Sequence, residues 1–200
     1  MNILSLFDGI SCGRVALERA GIEVENYYSS EIDEFAIKVS RHNYPTIKQI
    51  GNVLNVDGTK LGEIDLLIGG SPCQGFSFAG HQLAFEDPRS KLFFEFVRII
   101  KECKPKYFIL ENVRMKQEFV DIITEHLGVA PLLINSALVS AQNRYRYYWT
   151  NIPNVGAPYD PEKEQLLLLD ILEMEVDAKY YCTDKMKNLY DEVSLKCSEI

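Results

Sequence analysis

Cys73 stands behind a proline and among glycines in GGSPCQGFSF (69–78), directly after the apolar run IDLLI (64–68). A core cysteine would sit inside that run, and a disulfide cysteine calls for an oxidising compartment. The carboxyl end of a buried strand is instead where an open α/β sheet binds its ligands. A cysteine there can act as a thiolate nucleophile when cationic groups or a helix N-terminus lie near it. Three other charged groups can share that edge. Glu111, in Glu111-Asn112-Val113, follows the apolar run KYFIL (106–110), and a carboxylate leaving a buried strand can hydrogen-bond or donate a proton. Arg144 and Arg146 lie two apart in QNRYR (142–146). On a strand both point to one face, where two guanidiniums suit a carboxylate, a phosphate or a base edge.

A second constellation lies at the start of the chain. FDGISCG (7–13) joins the apolar run NILSLF (2–7) to a helical pattern. Its glycines let the backbone approach a ligand closely, and a helix N-terminus favours negative groups. Glu31 ends a second short strand about 20 residues later, where an acid accepts hydrogen bonds from the ribose of a nucleoside-bearing cofactor. The spacing alone does not separate a dinucleotide from S-adenosylmethionine.

The elements that must hold these groups alternate. Strands are predicted over 2–7, 27–30, 64–68 and 106–110, and helices over about 11–20 and from Phe35 through Val39 to near Pro45. SKLFFEFVRIIKEC has apolar residues at 92, 93, 96, 97, 100 and 103, which is helical spacing, with Ser90 as N-cap. Near-continuous apolar strands between helices imply an α/β domain with a mainly parallel sheet. Residues 131–138 and 145–150 are too close for a crossover helix and are expected to form an antiparallel hairpin at one edge. Prolines and turn formers near 151–161 mark a boundary. The expected division is a catalytic and cofactor-binding domain over 1–153 and a linker with a tail of two helical patterns over 154–200.

Composition narrows the class. Two hundred residues suit one domain, and no apolar stretch is long enough to cross a bilayer. The start shows no signal-peptide pattern. Net charge is −8, of which the segment 160–200 carries −6, so the remainder is nearly neutral and shows no large basic patch. Five cysteines without CxxC spacing point to reduced thiols in a cytoplasmic compartment. Cys12, Cys103, Cys182 and Cys197 are expected to be small buried hydrophobes. His42, His81 and His126 form no evident pairing with Cys73, which weighs against a thiol hydrolase.

Taken together these motifs resemble the DNA cytosine-5 methyltransferases. GGSPCQGFSFAG resembles the proline–cysteine loop of that family, FDGISCG its cofactor loop, ENV its glutamate motif and QNRYR its glutamine–arginine–arginine motif; DPRSKLFFEF (87–96) resembles the segment after the catalytic loop. They occur in the family's order over roughly 1–153, with some similarity to the animal de novo branch. The resemblance implies a Rossmann-like S-adenosylmethionine-dependent fold and a Cys73 nucleophile on a loop shaped by Pro72. It also implies Glu111 at the N3/N4 edge of a flipped cytosine and Arg146 with Arg144 near its O2. Methyltransferases are among the enzymes that flip their target base out of the duplex. For the cofactor it implies Phe7, Asp8, Gly9, Ser11 and Gly13 around the methionine part, Glu31 on the ribose, and Ile32, Val53 and Leu92 against the adenine. Asn52 stands where the family usually has an Asp that accepts from the adenine amino group. The expected product is S-adenosylhomocysteine and the expected partner double-stranded DNA. No target-recognition region or closing C-terminal motif is evident, which implies a second polypeptide carrying recognition or an inactive fragment. A tRNA cytosine methyltransferase of the same superfamily is the alternative.

Overall fold

Asn2–Leu6 (β1) is the strand around which the sheet is built in the computed structural model, which describes residues 1–72, 92–158, 166–181 and 183. β1 pairs in parallel on both sides, with β2 (Asn26–Ser30) and with β4 (Leu66–Gly69). Its alternate side chains serve different cores: Leu4 and Leu6 pack into one apolar cluster and Ile3 into the other. Both faces are therefore covered, which is why the strand reads as an almost unbroken apolar run.

The full sheet has seven strands in the order β3-β2-β1-β4-β5-β7-β6. β3 is Lys48–Gln49, β5 is Tyr107–Val113, β6 is Leu132–Asn135 and β7 is Tyr145–Thr150. β1 to β5 are mutually parallel, whereas β7 runs antiparallel to both β5 and β6. This is the mainly parallel α/β sheet with an antiparallel edge hairpin that the sequence predicts. Strand order reverses between β1 and β4, and ligands of open α/β sheets bind outside the carboxyl ends at such a reversal.

The helices are α1 (Cys12–Arg19), α2 (Glu34–Asn43), α3 (Leu92–Cys103) and α4 (Gln117–Leu127). Asp33 caps α2 by accepting from the Ala36 N–H at 2.7 Å. α3 buries Phe93, Phe96 and Val97 of the expected face and also Ile99, which was not on it, while Leu92, Ile100 and Cys103 are only partly buried; the expected Ser90 cap lies outside the described residues. α4 was not anticipated, although Phe119, Val120 and Ile123 form a helical stripe that is buried, and Gly128 ends it in a left-handed C-cap. Trp149 of β7 is fully buried and donates through Nε1 to Thr124 Oγ1 of α4 at 3.0 Å, fastening the hairpin to that helix. β5 also extends three residues past KYFIL, so Glu111, Asn112 and Val113 lie inside the strand rather than after it. In the tail, the described residues hold only 3-10 turns at Leu168–Ile171 and Ala178–Tyr180. Leu169 and Met174 there are 77% and 96% exposed.

α3 rests directly on the end of β4. A Cβ added at Gly69 would lie 2.7 Å from two ring carbons of Phe96, which is itself fully buried and cannot move aside. Gly69→Ala is therefore expected to destabilise the protein by about 1–3 kcal/mol, as overpacking does. Urea unfolding measures this, and an unshifted midpoint would show that α3 is not seated so tightly.

Candidate active site

The loop after β1 holds three residues at positive φ: Phe7 (57°), Gly9 (58°) and Ser11 (65°). Phenylalanine and serine rarely adopt this conformation, and it persists only where the surroundings over-determine it. Here Asp8 does so from inside. Its Oδ2 accepts from Ser11 Oγ at 2.6 Å and its Oδ1 from the Tyr27 hydroxyl at 2.7 Å. Ser11 Oγ also bonds Ser40 Oγ of α2 at 2.6 Å, and Gln49 Nε2 of β3 donates to that same Ser40 oxygen at 3.2 Å. Burial, and next the charge of Asp8, push the Tyr27 phenol far above its usual pKa, so it stays a donor. A Cβ on Gly13 would approach that hydroxyl to 3.0 Å, so a larger residue there would push on the Tyr27 hydroxyl.

Glu31, at the end of β2, is oriented by three backbone N–H groups. Gly9 donates to Oε2 at 2.7 Å, and Ile32 and Asp33 donate to Oε1 at 2.7 and 2.9 Å. The loop and the acid, read separately in the sequence, are thus one unit. Beside them opens a cavity of about 320 Å³. Of the expected cofactor residues, Phe7, Glu31, Ile32, Asn52, Val53 and Leu92 line it, and so does Pro72. Ile32 and Leu54 project into solvent at its rim, 69% and 58% exposed, although both are apolar. Asp8, Gly9, Ser11 and Gly13 do not line it. Ser30 and Leu54 line it without having been singled out. Leu54 belongs to the 3-10 turn Val53–Asn55, whose cap Asn52 accepts from the Leu54 N–H through Oδ1 at 3.0 Å.

Cys73 itself lies outside the described residues, but its stem does not. Asn112 of β5 is buried and donates through Nδ2 to Ser71 Oγ at 3.2 Å and to Ser71 O at 3.4 Å. Glu111 stands one residue before it. A Cβ on Gly70 would lie 3.2 Å from Glu111 Oε2, so that carboxylate hangs over the segment leading to Cys73. Across the antiparallel pair, Arg146 Nε approaches Glu111 Oε1 to 2.7 Å. The N–H is not aimed at the oxygen, so the contact is a charge pair rather than a hydrogen bond. Tyr148 pairs in register with Glu111; its burial, and next that charge, raise the phenol pKa.

Arg144 departs from the expectation that both arginines share a strand face. It precedes β7 and is exposed, because Asn135 Oδ1 accepts from its N–H (3.0 Å) and its carbonyl accepts from the Ser136 N–H (3.0 Å), holding it in the turn. Cys12 also departs: it is exposed, not a buried hydrophobe. Cys103 meets the expectation only in part: it packs against the core but is half-buried, with its thiol pushed up to about 11, first by burial and then by the Glu102 charge. Cys182 and Cys197 lie outside the described residues. Among the described residues no helix is long and apolar enough to cross a membrane.

Comparison with known proteins agrees with this geometry. A family model described as C-5 cytosine-specific DNA methylase matches residues 1–193. Orphan methyltransferase M.SPRI of Bacillus phage SPR is 33% identical, over 97% of this chain and 55% of its own length. Type II methyltransferase M.NgoBV of Neisseria gonorrhoeae is 41% identical, over 96% of this chain and 46% of its own. The chain thus spans about half the length of these curated relatives. In fold it is similar to a Spodoptera frugiperda DNMT2 mutant (TM-score 0.70, 24% identity, 92% of this chain and 63% of that one). It is likewise similar to a putative DNA modification methyltransferase encoded within an E. coli prophage (TM-score 0.66, 23% identity, 92% and 56%).

The polar pin under the loop is directly testable. Tyr27→Phe keeps the ring but leaves Asp8 Oδ1 without its phenolic donor, and is expected to cost about 1–3 kcal/mol in chemical unfolding. Unchanged stability would mean that the loop is held by something else.

Proposed function

This chain belongs to the C-5 cytosine-specific DNA methylase family, and we propose that it is the catalytic and cofactor-binding part of an enzyme that methylates C5 of cytosine in duplex DNA, using S-adenosylmethionine. The observation that carries the reading is the Glu111–Arg146 charge pair set over Gly70, on the stem of Cys73 and at the same sheet edge as the cavity.

The cavity residues fit the cofactor. Glu31 presents a carboxylate already oriented by backbone N–H groups, and so accepts from ribose hydroxyls without reorganising. Ile32, Val53, Leu54 and Leu92 give apolar walls for a planar base, and Phe7 closes the side toward β1. Asp8, Ser11 and Gly13 act behind the wall, fixing the loop whose backbone faces the methionine part. When bound, the cofactor supplies a methyl group on a sulfonium sulfur, which keeps the electrons of the broken C–S bond.

C5 of cytosine is too weak a nucleophile to attack that methyl unaided. In the proposed mechanism the Cys73 thiolate adds to C6, which makes C5 enamine-like. Glu111 holds the N3/N4 edge in its protonated, activated form, while Arg146 faces the base O2; Arg144, exposed in the turn before β7, meets neighbouring charge outside the base. Once C5 carries the methyl, loss of its proton and expulsion of the thiolate restore the ring. Asn112 keeps the loop stem in place throughout. A flipped base fits this edge because β4 and β5 both end there. Residues 1–153 form the catalytic unit of this proposal. Target recognition in this proposal comes from protein outside residues 1–153, and five cysteines without CxxC spacing support a reducing, cytoplasmic setting.

The test is transfer of labelled methyl from S-adenosylmethionine by wild type and Cys73→Ala, with duplex DNA and tRNA in competition. Label on DNA that disappears in Cys73→Ala, with cofactor binding retained, is expected. Label that persists without Cys73, or that goes to tRNA, would overturn the reading. A second prediction concerns Asn52. Its oxygen caps the turn at Leu54, which leaves the amide nitrogen, a donor, as the other terminal atom. A donor does not match an adenine amino group. Asn52→Asp keeps the cap and adds an acceptor, so titration calorimetry should show about ten-fold tighter S-adenosylhomocysteine binding, the scale of one charge-assisted hydrogen bond. Equal affinity would remove Asn52 from the base site.

A further inference from the structure

One wall of the cavity is gripped from behind. Residues 52–58 pass beneath α3, carrying Asn52, Val53 and Leu54 on the cavity side. Arg98 of α3 reaches the other side of the same segment. Its Nη2 donates to Val53 O at 3.0 Å and its Nη1 to Val56 O at 2.9 Å. Its remaining N–H groups go to its own helix: Nε and Nη2 to Glu95 Oε2 at 2.8 and 2.7 Å, and Nη1 to Glu102 Oε1 at 2.8 Å. All five donors of the guanidinium are thereby used. Glu102 adds a third hold, accepting from the Gly58 N–H through Oε2 at 2.9 Å.

We infer that Arg98 is a positioning residue for the cofactor cavity, setting the height of the Asn52–Leu54 turn against the bound base. The inference rests on the proposed reading of that cavity. Arg98 does not touch the cavity, so its effect passes through the backbone carbonyls it holds. Its side chain is one-third exposed, and ion pairs in such positions contribute little to global stability, so the grip matters for local geometry rather than for folding. Only a planar fork can serve two carbonyls and two carboxylates at once. A lysine ammonium carries the same charge on three donors at one point and cannot span them.

The test uses the full chain and S-adenosylhomocysteine as probe, with Arg98→Lys, which keeps the charge, and Glu102→Gln, which removes one carboxylate and leaves Arg98 in place. Titration calorimetry is expected to show about ten-fold weaker binding for Arg98→Lys, and a smaller loss for Glu102→Gln. Hydrogen exchange at Leu54, Val56 and Gly58 should accelerate, while Leu4 and Leu6 in β1 keep their protection and the melting temperature moves little. Two outcomes overturn the inference and leave the proposed function standing: wild type binds and Arg98→Lys binds equally well, or binding weakens only in step with global unfolding. A wild-type chain that does not bind S-adenosylhomocysteine overturns the cofactor reading, and with it the positioning role, whatever the exchange rates show.

Discussion

Everything at the carboxyl edge of the sheet depends on β1 being hydrogen-bonded in parallel on both sides. Parallel pairing brings the carboxyl ends of β1, β2 and β4 to one edge in fixed register: Leu6 beside Ser30, and Leu6 beside Gly69. The next residues along each strand are Phe7, Glu31 and Gly70, so the loop after β1, the acid and the segment leading to Cys73 become neighbours although they are far apart in sequence. β4 carries the alignment on to β5 by pairing Gly69 with Leu110, and Glu111 follows. A slip of one residue at any of these pairings would turn alternate side chains to the opposite face.

On this frame the chain maintains a loop that its own residues disfavour. Phe7 and Ser11 sit in a conformation that costs free energy, and polar groups offset it: Asp8 to Ser11 and Tyr27, then Ser11 to Ser40, and Ser40 to Gln49. The network crosses β1, β2, α2 and β3, so the loop is rigid only when that side of the sheet is assembled. Its centre, the Ser11–Ser40 contact, is buried, where a hydrogen bond is stronger than in water, while Asp8 and Gln49 at its ends are partly exposed. The same logic governs Glu31, whose carboxylate is oriented before any ligand arrives.

Much of this was legible in the sequence for physical reasons. Strands covered on both faces read as apolar runs, and their order with intervening helices sufficed for a mainly parallel sheet with an antiparallel edge, but not for β3, whose two polar residues form no such run. The strand ends did not read so well. Glu111 and Asn112 look like the start of a loop, and only their pairing with Tyr148 and Tyr147 of β7 makes them strand. α4 carried a readable stripe that was overlooked. The fold's other surprises concern side-chain direction, which spacing does not encode. Asp8 turns inward, Arg144 is captured by Asn135, and Arg98 finds carbonyls more than forty residues away in sequence. Long-range polar contacts of this kind leave no periodic signal, because one residue makes them.

β7 has a consequence for anything attached beyond it. Because it runs against its neighbours, it receives the chain at the active edge near Arg146 and delivers it at the far edge, where Asn151 is tied to Phe108 and Lys106. Its six residues span about 20 Å. A module joined after Thr150 therefore starts on the wrong side of the sheet, and a tether of about six extended residues is used up merely in returning. Linker length then sets the local concentration of that module at the carboxyl edge. A tether shorter than this span leaves the module's own body to cover the remaining distance to that edge, whereas a separate polypeptide escapes the constraint.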